Sequence, residues 1–401
     1  MGYSAWTRTV QFRTFAASLP DVISGVHNHE GGEEAASKLQ QELVMSKGTC
    51  VSLDYSQCYD RLRISLTTSY LAQIGWPQEV VKALQQIWPI IRHLEFDKHV
   101  HPEVLTGCGV PQGCPFAPMA LACVMSSAHK MVDEILQTDF GYSWQATQQA
   151  CTRIYMDDRS FIDSNYQRCL DRATAWRQWS DNAGLLENVS KAQALTKQHA
   201  MKTCLASDRP DWFRDKTMQV LGASSRACPA QNTDVENDRI SAALKRAKLL
   251  GNLPVPFQRK LMLYKTFLLP QAMYGWISRF PTVASANSLF NSLTRMTKTN
   301  RMASPLIRSV LYGGNIHAHP VVATQMLRRF GRMRLRGTLA WSNQSGTPTA
   351  ALRKWMKQLG WVETAAWRWK LASHSILLRY QLARKWTCKL IRSDRFGGKA
   401  C

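Results

Sequence analysis

One eleven-residue stretch decides the fold: Arg153-Ile154-Tyr155-Met156-Asp157-Asp158-Arg159-Ser160-Phe161-Ile162-Asp163. Two short apolar runs flank a pair of adjacent acids, which predicts a β-hairpin with the carboxylates at its tip. Asp tolerates the left-handed backbone of tight turns. Adjacent acids repel each other, and a hard divalent cation such as Mg²⁺, which takes oxygen ligands, would neutralise them. Taken alone, the acids are more typical of a solvated surface turn, so a functional interpretation needs partners elsewhere in the chain.

The chain carries a large excess of positive charge. Over 401 residues it has 51 Lys and Arg against 28 Asp and Glu, a formal net charge of +23. This excess favours a polyanionic partner, because phosphate neutralisation releases counterions and drives nucleic-acid binding. A basic protein without such a partner is the alternative that charge leaves open. The hydrophobic content of 45% is typical of a globular protein, and the length allows two or three domains.

Eleven cysteines are scattered along the chain without the spacing of a zinc knuckle. With no secretory leader, this many thiols predict a reducing, intracellular compartment, nucleus or cytoplasm. The longest apolar stretch, around Ala117–Met125, is too short to span a bilayer, so no membrane association is expected.

Strands and helices surround the hairpin in a mixed order. The predicted elements are a helix over Glu33–Lys47 stopped by Gly48, a strand over Thr49–Asp54, a buried helix over Met119–Leu136, and a helix capped by Asn165 and ended by Gly184. This order predicts an α+β domain with helices on one face of an antiparallel sheet. After Leu221-Gly222 only helical patterns follow, at about Val235–Leu250 and Phe257–Leu268.

Asp54 supplies the partner that the acidic hairpin needs. An acid at a strand end can meet Asp157 and Asp158 when the two strands are neighbours, and nucleotidyl transfer by two metals requires carboxylates held in this way. Tyr59, five residues after Asp54, can lie beneath an incoming sugar and clash with a 2′-hydroxyl. Core packing is an equally good explanation of that ring.

Two further segments can belong to the same site. The turn-rich run Gly109–Pro118 surrounds Gln112, and its glycines permit close approach of backbone to a template or nucleotide, although an ordinary loop has the same composition. Lys191 can donate a proton to a pyrophosphate leaving group. A lone Lys is more often a solvated surface residue.

Four segments resemble the palm motifs of reverse transcriptases, in that family's order. They are Leu53-Asp54-Tyr55-Ser56-Gln57-Cys58-Tyr59-Asp60, Gly109-Val110-Pro111-Gln112-Gly113 with Pro118, Tyr155-Met156-Asp157-Asp158, and Gly184-Leu185-Leu186-Glu187-Asn188-Val189-Ser190-Lys191. Leu221-Gly222, Leu268-Leu269-Pro270 and Tyr274-Gly275 are similar to the segment after the palm in enzymes of non-LTR (LINE-type) retrotransposons. The resemblance covers residues 20–280.

The resemblance implies a right-hand polymerase that carries out RNA-directed DNA synthesis for a retroelement. It implies partial fingers in 1–48, a palm in 49–222, a helical thumb in 223–280 and a basic, Trp-rich helical C-terminal region in 281–401. The implied partners are an RNA template, a DNA primer and dNTPs.

The resemblance also implies roles for individual residues. Asp54, Asp157 and Asp158 would hold two Mg²⁺ ions, with Mn²⁺ as a substitute, and Lys191 would act in catalysis. The implied substrate-binding residues are Tyr59 as the sugar gate, Gln112, Gly113 and Tyr155.

The chain departs from the family at two points. Ala117 stands where many relatives have Ser, and fewer residues precede Asp54 than the family's fingers occupy. The second departure keeps a catalytically inactive RNA-binding remnant open as an alternative. A group II intron maturase-like protein is a further alternative.

Overall fold

The computed structural model describes a defined set of residues: 19–20, 22–24, 31–89, 91–92, 95–96, 99–100, 104–105, 108–111, 113–114, 116–215, 217–226, 234–276, 283–296, 330, 347–358, 361–365, 368–371, 376–379 and 389–392. The chain divides into two compact units, the first containing Glu42–Leu221 and the second containing Cys228–Cys401. No helix among the described residues is long and apolar enough to cross a membrane.

The helices of the described residues are α1 Gly32–Ser46, α2 Cys58–Arg61, α3 Ile64–Gln73, α4 Gln78–Ile87, α5 Ala117–Thr138, α6 Trp144–Gln149, α7 Tyr166–Ala183, α8 His199–Asp208, α9 Asp234–Asn252, α10 Phe257–Leu263, α11 Leu269–Ala272, α12 Val283–Met296 and α13 Pro348–Gln358. A 3-10 turn covers Val189–Lys191, and a π-helical segment covers Tyr264–Leu268.

The strands are β1 Ile23–Ser24, β2 Thr49–Leu53, β3 Ile91–Arg92, β4 Glu95–Phe96, β5 His99–Val100, β6 Val104–Leu105, β7 Cys151–Tyr155, β8 Asp158–Asp163, β9 Gln193–Thr196, β10 Thr217–Val220, β11 Ala223–Arg226, β12 Trp361–Ala365, β13 Arg368–Leu371, β14 Ile376–Arg379 and β15 Lys389–Arg392.

The first unit is built on a five-stranded sheet in the order β1-β7-β8-β2-β9. β2 lies antiparallel between β8 and β9, while β1 runs parallel to β7. All five residues of β2 are buried, which suits a central strand made of small, β-branched and aliphatic side chains. The sheet and its helices confirm the expected α+β, palm-like fold class.

The acidic hairpin forms as predicted, with Tyr155 paired to Asp158 across a two-residue turn. Met156, the first turn residue, has a φ of 57°, whereas Asp157 is not among the described residues with positive φ. A positive φ at the first position alone is typical of a type II′ turn, whose twist matches that of the strands. The left-handed residue is therefore Met156 and not an Asp.

Two long helices, α5 and α7, cover the core of this unit. They pack on each other, and α7 packs against β2 and β8. The predicted ends of α7 are confirmed: the side-chain oxygen of Asn165 accepts a hydrogen bond from the Arg168 N–H (3.3 Å), and Gly184 follows the last turn with a φ of 75°. Close packing holds α7 against the strands that carry the acids.

Gly48 lies between α1 and β2. Helix α1 ends just before Gly48, as predicted. The residue in the left-handed conformation, with a φ of 52°, is Lys47 and not the glycine. A Cβ built on Gly48 would lie 2.1 Å from the carbonyl oxygen of Asp163 and 2.6 Å from its carbonyl carbon. Gly48 therefore allows the backbone at the start of β2 to approach the end of β8.

The second unit contains a sheet in a region that was expected to be helical. Helices α9 to α12 follow the expected helical patterns, and α9 packs against α11 and α12. The region 281–401 was expected to be helical, and α12 and α13 agree. Beyond them, β12 to β15 form a four-stranded antiparallel sheet. These short segments are rich in Trp, Ile and Leu, and neighbouring strands complete the hydrogen bonding that each segment lacks alone.

Candidate active site

The sheet brings the three predicted acids to one edge. Leu53 pairs with Arg159 in the β2–β8 ladder. Since the strands are antiparallel, the next position places Asp54 opposite Asp158, and Asp157 lies in the adjoining turn. The register therefore joins two acids that are more than a hundred residues apart in the chain.

The carboxylates of the hairpin influence each other through burial and charge. Burial, reinforced by the negative charges of Asp54 and Asp157, raises the pKa of Asp158 to about 7. Burial likewise raises the pKa of Asp157, and Asp54 adds to the effect. A positive charge at this edge would relieve the repulsion.

Lys191 supplies one such charge. Its Nζ lies 2.6 Å from Oδ2 of Asp54, and the side chain of Lys191 is 65% exposed while that of Asp54 is 11% exposed. The hydrogen bond from Lys191 to Asp54, with the charge of that carboxylate, raises the pKa of Lys191. The Asn188 N–H donates to the carbonyl oxygen of Asp54 (2.9 Å). The segment that carries Lys191 is thereby tied to the end of β2.

The donor set fits a hard divalent cation in chemistry. Asp54, Asp157 and Asp158 offer carboxylate oxygens, which Mg²⁺ prefers, and Asp54 already binds a cationic group. In the described part of the chain no three His, Cys, Asp or Glu side chains converge as a ready-made metal site. With Asp54 bound to Lys191, the three acids share an edge but not a single coordination point.

The structure also places Tyr59 and part of the glycine-rich loop beside this edge. The charge of Asp157 contributes, after burial, to raising the pKa of Tyr59, so the phenol lies within electrostatic range of the acid. The Val110 N–H donates to the carbonyl oxygen of Tyr59 (2.8 Å), and the Gly109 N–H donates to that of Leu62 (2.9 Å). These bonds hold the start of the loop along the chain that follows Asp54.

The structure describes two of the three remaining predicted substrate-binding residues, Tyr155 and Gly113. Tyr155 is half-buried at the end of β7, next to the turn. Gly113 has a φ of 86°, and a Cβ built on it would meet no atom within 4 Å, so the glycine serves backbone conformation there. Gln112 lies outside the described residues. Roles for all three stay predictions.

Sequence reasoning did not assign a role to Arg159 or Glu187. The Arg159 guanidinium donates two hydrogen bonds to the two carboxylate oxygens of Glu187, at 2.8 and 2.7 Å. The Arg159 side chain is 0% exposed. A signal existed in the alternation of β8, because Arg159 shares a strand face with buried Phe161, and a charge on a core face requires a partner.

A family model matches the part of the chain that contains this site. Residues 7–224 match the family model described as reverse transcriptase (RNA-dependent DNA polymerase). No match is found among curated proteins.

Two telomerase structures are among those similar to the chain. One, from Candida tropicalis in complex with a TWJ fragment of telomeric RNA, shares 12% identity and a TM-score of 0.40 over 88% of this chain and 55% of that one. The other, from Candida albicans with the same kind of fragment, shares 11% identity and a TM-score of 0.36 over 77% and 54%. The chain spans about half the length of these structures.

Proposed function

The chain belongs to the reverse transcriptase family, whose model matches more than half of it, and on that basis we propose that it is an RNA-directed DNA polymerase of a retroelement. One observation carries the proposal: the β2–β8 register sets Asp54 opposite Asp158, with Asp157 in the adjoining turn. The deciding experiment is primer extension on an RNA template with dNTPs and Mg²⁺.

In this mechanism the acids hold the cations and the other residues handle the substrates. Asp54, Asp157 and Asp158 would bind two Mg²⁺ ions, or Mn²⁺ in their place, which when bound stabilise the attacking and leaving oxygens of an in-line displacement. The primer 3′-hydroxyl loses its proton to solvent as its oxygen attacks the α-phosphorus of the dNTP, and the bond to pyrophosphate breaks. Lys191 leaves Asp54 and donates its proton to the departing pyrophosphate oxygen.

We assign the proposed polymerase domains along the chain: partial fingers in 1–48, palm in 49–222, thumb in 223–280 and a basic C-terminal region in 281–401. The palm assignment is supported by the five-stranded sheet that carries the acids. The non-LTR subtype rests on Leu221-Gly222 and the segments after it. Leu221 (φ 52°) and Gly222 (φ 71°) are both left-handed, as a type I′ hairpin turn between β10 and β11 requires.

A non-catalytic RNA-binding protein is the second candidate, and one observation favours it. The contact between Lys191 and Asp54 neutralises a metal-binding carboxylate with a side chain of the protein itself. In that case the purified protein would bind RNA and extend no primer.

The sugar gate gives a prediction about substrate choice. Replacing Tyr59 with Ala should raise ribonucleotide incorporation about tenfold or more, because removing the ring opens space for a 2′-hydroxyl. Tyr59→Phe is the matched control, since it keeps the ring and should retain discrimination. The ratio of kcat/KM for dNTP and rNTP measures the effect. Equal discrimination by Tyr59→Ala and wild type would refute a gate at this position.

The charge excess gives a prediction about RNA affinity. With a net charge of +23, the logarithm of the association constant for a single-stranded RNA should fall linearly with the logarithm of salt concentration, by about 0.7 per phosphate contacted. Fluorescence anisotropy with labelled RNA at several KCl concentrations measures the slope. A flat response would show that the basic residues do not form the binding surface.

A further inference from the structure

Arg159 lies at the centre of a buried cluster on the opposite face of β8 from Asp158. Its guanidinium carbon lies 3.5 Å from the ring centroid of Tyr55 and 5.2 Å from that of Trp176. The guanidinium edge meets Glu187, whose side chain is 11% exposed. The planar, delocalised cation of Arg can stack on a ring and bind a carboxylate through two parallel hydrogen bonds at once, which Lys cannot do.

The cluster extends through hydroxyl groups to helix α7. Ser180 Oγ lies 2.9 Å from Glu187 Oε1 and 2.8 Å from the hydroxyl of Tyr55. Ser180 Oγ also lies 2.7 Å from the Trp176 carbonyl oxygen, so its one proton is shared between that carbonyl and Glu187. Glu187 is thus held by α7 as well as by Arg159.

Each residue at the centre of this cluster is a near neighbour in sequence of a predicted catalytic residue. Tyr55 follows Asp54, Arg159 follows Asp158, and Glu187 lies four residues before Lys191. Backbone contacts reinforce the same junction: Tyr55 bridges Glu187, and the Ser56 N–H donates to the carbonyl oxygen of Leu186 (2.8 Å). The three segments that carry the catalytic groups therefore meet at one ion pair.

We propose that Arg159 and Glu187 form a positioning pair, which sets the separation of Asp54, Asp158 and Lys191 and so tunes how the acids bind divalent cations. This inference rests on the proposed function and adds to it a residue pair that touches neither substrate nor metal. The pair acts through the adjacent backbone: Arg159 and Asp158 are consecutive residues of β8 and so lie on opposite faces of the strand, and the backbone next to Glu187 is bonded to Tyr55 and Ser56.

A double replacement separates positioning from plain stability. Removing one partner leaves a buried charge uncompensated, whereas replacing both with apolar residues of similar volume is often tolerated. Arg159→Met/Glu187→Leu should therefore fold, and the Tyr55–Ser180–Trp176 hydrogen bonds should persist in it without the ion pair.

A second buried pair provides the matched control. Arg172 Nη1 lies 2.7 Å from Asp133 Oδ1, with side chains 2% and 6% exposed, and it joins α7 to α5 instead of to the segments that carry the acids. Arg172→Met/Asp133→Leu removes an ion pair of similar burial without touching the junction.

The experiment measures two responses to Mg²⁺ in the full chain. The first is the rise in Tm on adding Mg²⁺, which reports binding to the folded state without any catalysis. The second is the Mg²⁺ concentration needed for half-maximal primer extension. For Arg159→Met/Glu187→Leu we expect the Tm rise to shrink and the half-maximal concentration to increase about tenfold or more, as for other residues that orient metal ligands. The control pair should keep wild-type responses whatever its Tm.

Wild-type Mg²⁺ responses in Arg159→Met/Glu187→Leu would overturn the positioning role. If that protein does not fold, Arg159→Lys decides, because it keeps the charge and loses the planar fork. If the Mg²⁺ responses of Arg159→Lys equal those of the wild type, the proposal is overturned. A smaller Tm rise and a higher half-maximal Mg²⁺ concentration would support it.

The outcome for wild type separates this proposal from the proposed function. A wild-type protein that shows the Tm rise and extends no primer defeats the polymerase assignment, and the positioning pair is then judged by the Tm rise alone. A wild-type protein with no Tm rise on adding Mg²⁺ overturns the positioning proposal, because it has no cation site to tune.

Discussion

Replacing Asp157 with Asn is expected to reduce primer extension on an RNA template by about a thousandfold or more, because stabilisation of the displacement by bound metal is worth several kcal/mol. The amide keeps the shape of the side chain and removes the negative charge that a divalent cation requires. RNA affinity should stay close to wild type, since the basic residues that bind phosphate are unchanged. Single-nucleotide extension rates and RNA anisotropy, measured on the same preparations, test both parts.

Thermal stability distinguishes lost chemistry from lost structure in this variant. Burial and the charge of Asp54 raise the pKa of Asp157, so removing the charge relieves repulsion, and Tm should stay the same or rise. Asp181→Asn is the matched control, because Asp181 is an exposed acid on α7 and should leave extension unchanged. If Asp157→Asn extends the primer at the wild-type rate, this acid is not part of the site. No extension by wild type, with RNA binding retained, would favour the non-catalytic alternative.

Gly48→Ala is expected to destabilise the protein by about 3 kcal/mol or more, at the upper end of the cost of overpacking a core. The added Cβ would lie 2.1 Å from the carbonyl oxygen of Asp163. A backbone group cannot rotate away as a flexible side chain can, so β2 and β8 must separate. This loss is a large part of an ordinary folding free energy of about 5–15 kcal/mol. Denaturant unfolding followed by circular dichroism measures it.

Gly31→Ala is the matched control for this prediction. No atom lies within 4 Å of a Cβ built on Gly31, which precedes α1. Its replacement should cost about 1 kcal/mol or less, the size of a change in helix capping. Equal stabilities of the Gly48→Ala and Gly31→Ala proteins would mean that the close approach at Asp163 is readily relaxed. The same shift of β2 should also lower extension, since Thr49 pairs with Asp163 at the base of the ladder that holds Asp54 opposite Asp158.

Much of the local structure could be predicted because its causes are local. The hairpin follows from two apolar runs around a polar tip, and the ends of α7 follow from Asn165 and Gly184. The hairpin pattern does not specify which turn residue takes the positive φ. Met156 takes the positive φ although Asp tolerates it better, because the two-residue pairing of Tyr155 with Asp158 requires a left-handed residue at the first turn position.

Other features could not be read from the chain, because they depend on contacts between distant segments. The parallel pairing of β1 with β7 and the C-terminal sheet are formed by short strands, whose own patterns do not specify a neighbour. Arg159 and Glu187 are separated by 28 residues. The alternation of β8 puts Arg159 on a core face, but no local pattern identifies Glu187 as its partner, and only packing shows that the two are paired.

The amino-acid sequence by itself determined the chemistry of the acidic edge: Asp54 at the end of a strand, Asp157 and Asp158 at a hairpin, and the excess of basic residues. Periodicity and turn chemistry act over a few residues, so they specify elements and the side chains that those elements carry. The tertiary structure alone decided that Asp54 lies opposite Asp158, that Lys191 contacts Asp54, and that a buried ion pair joins their segments. Register and burial arise from packing across the whole unit, and a one-residue slip in β2 would turn its side chains to the other face.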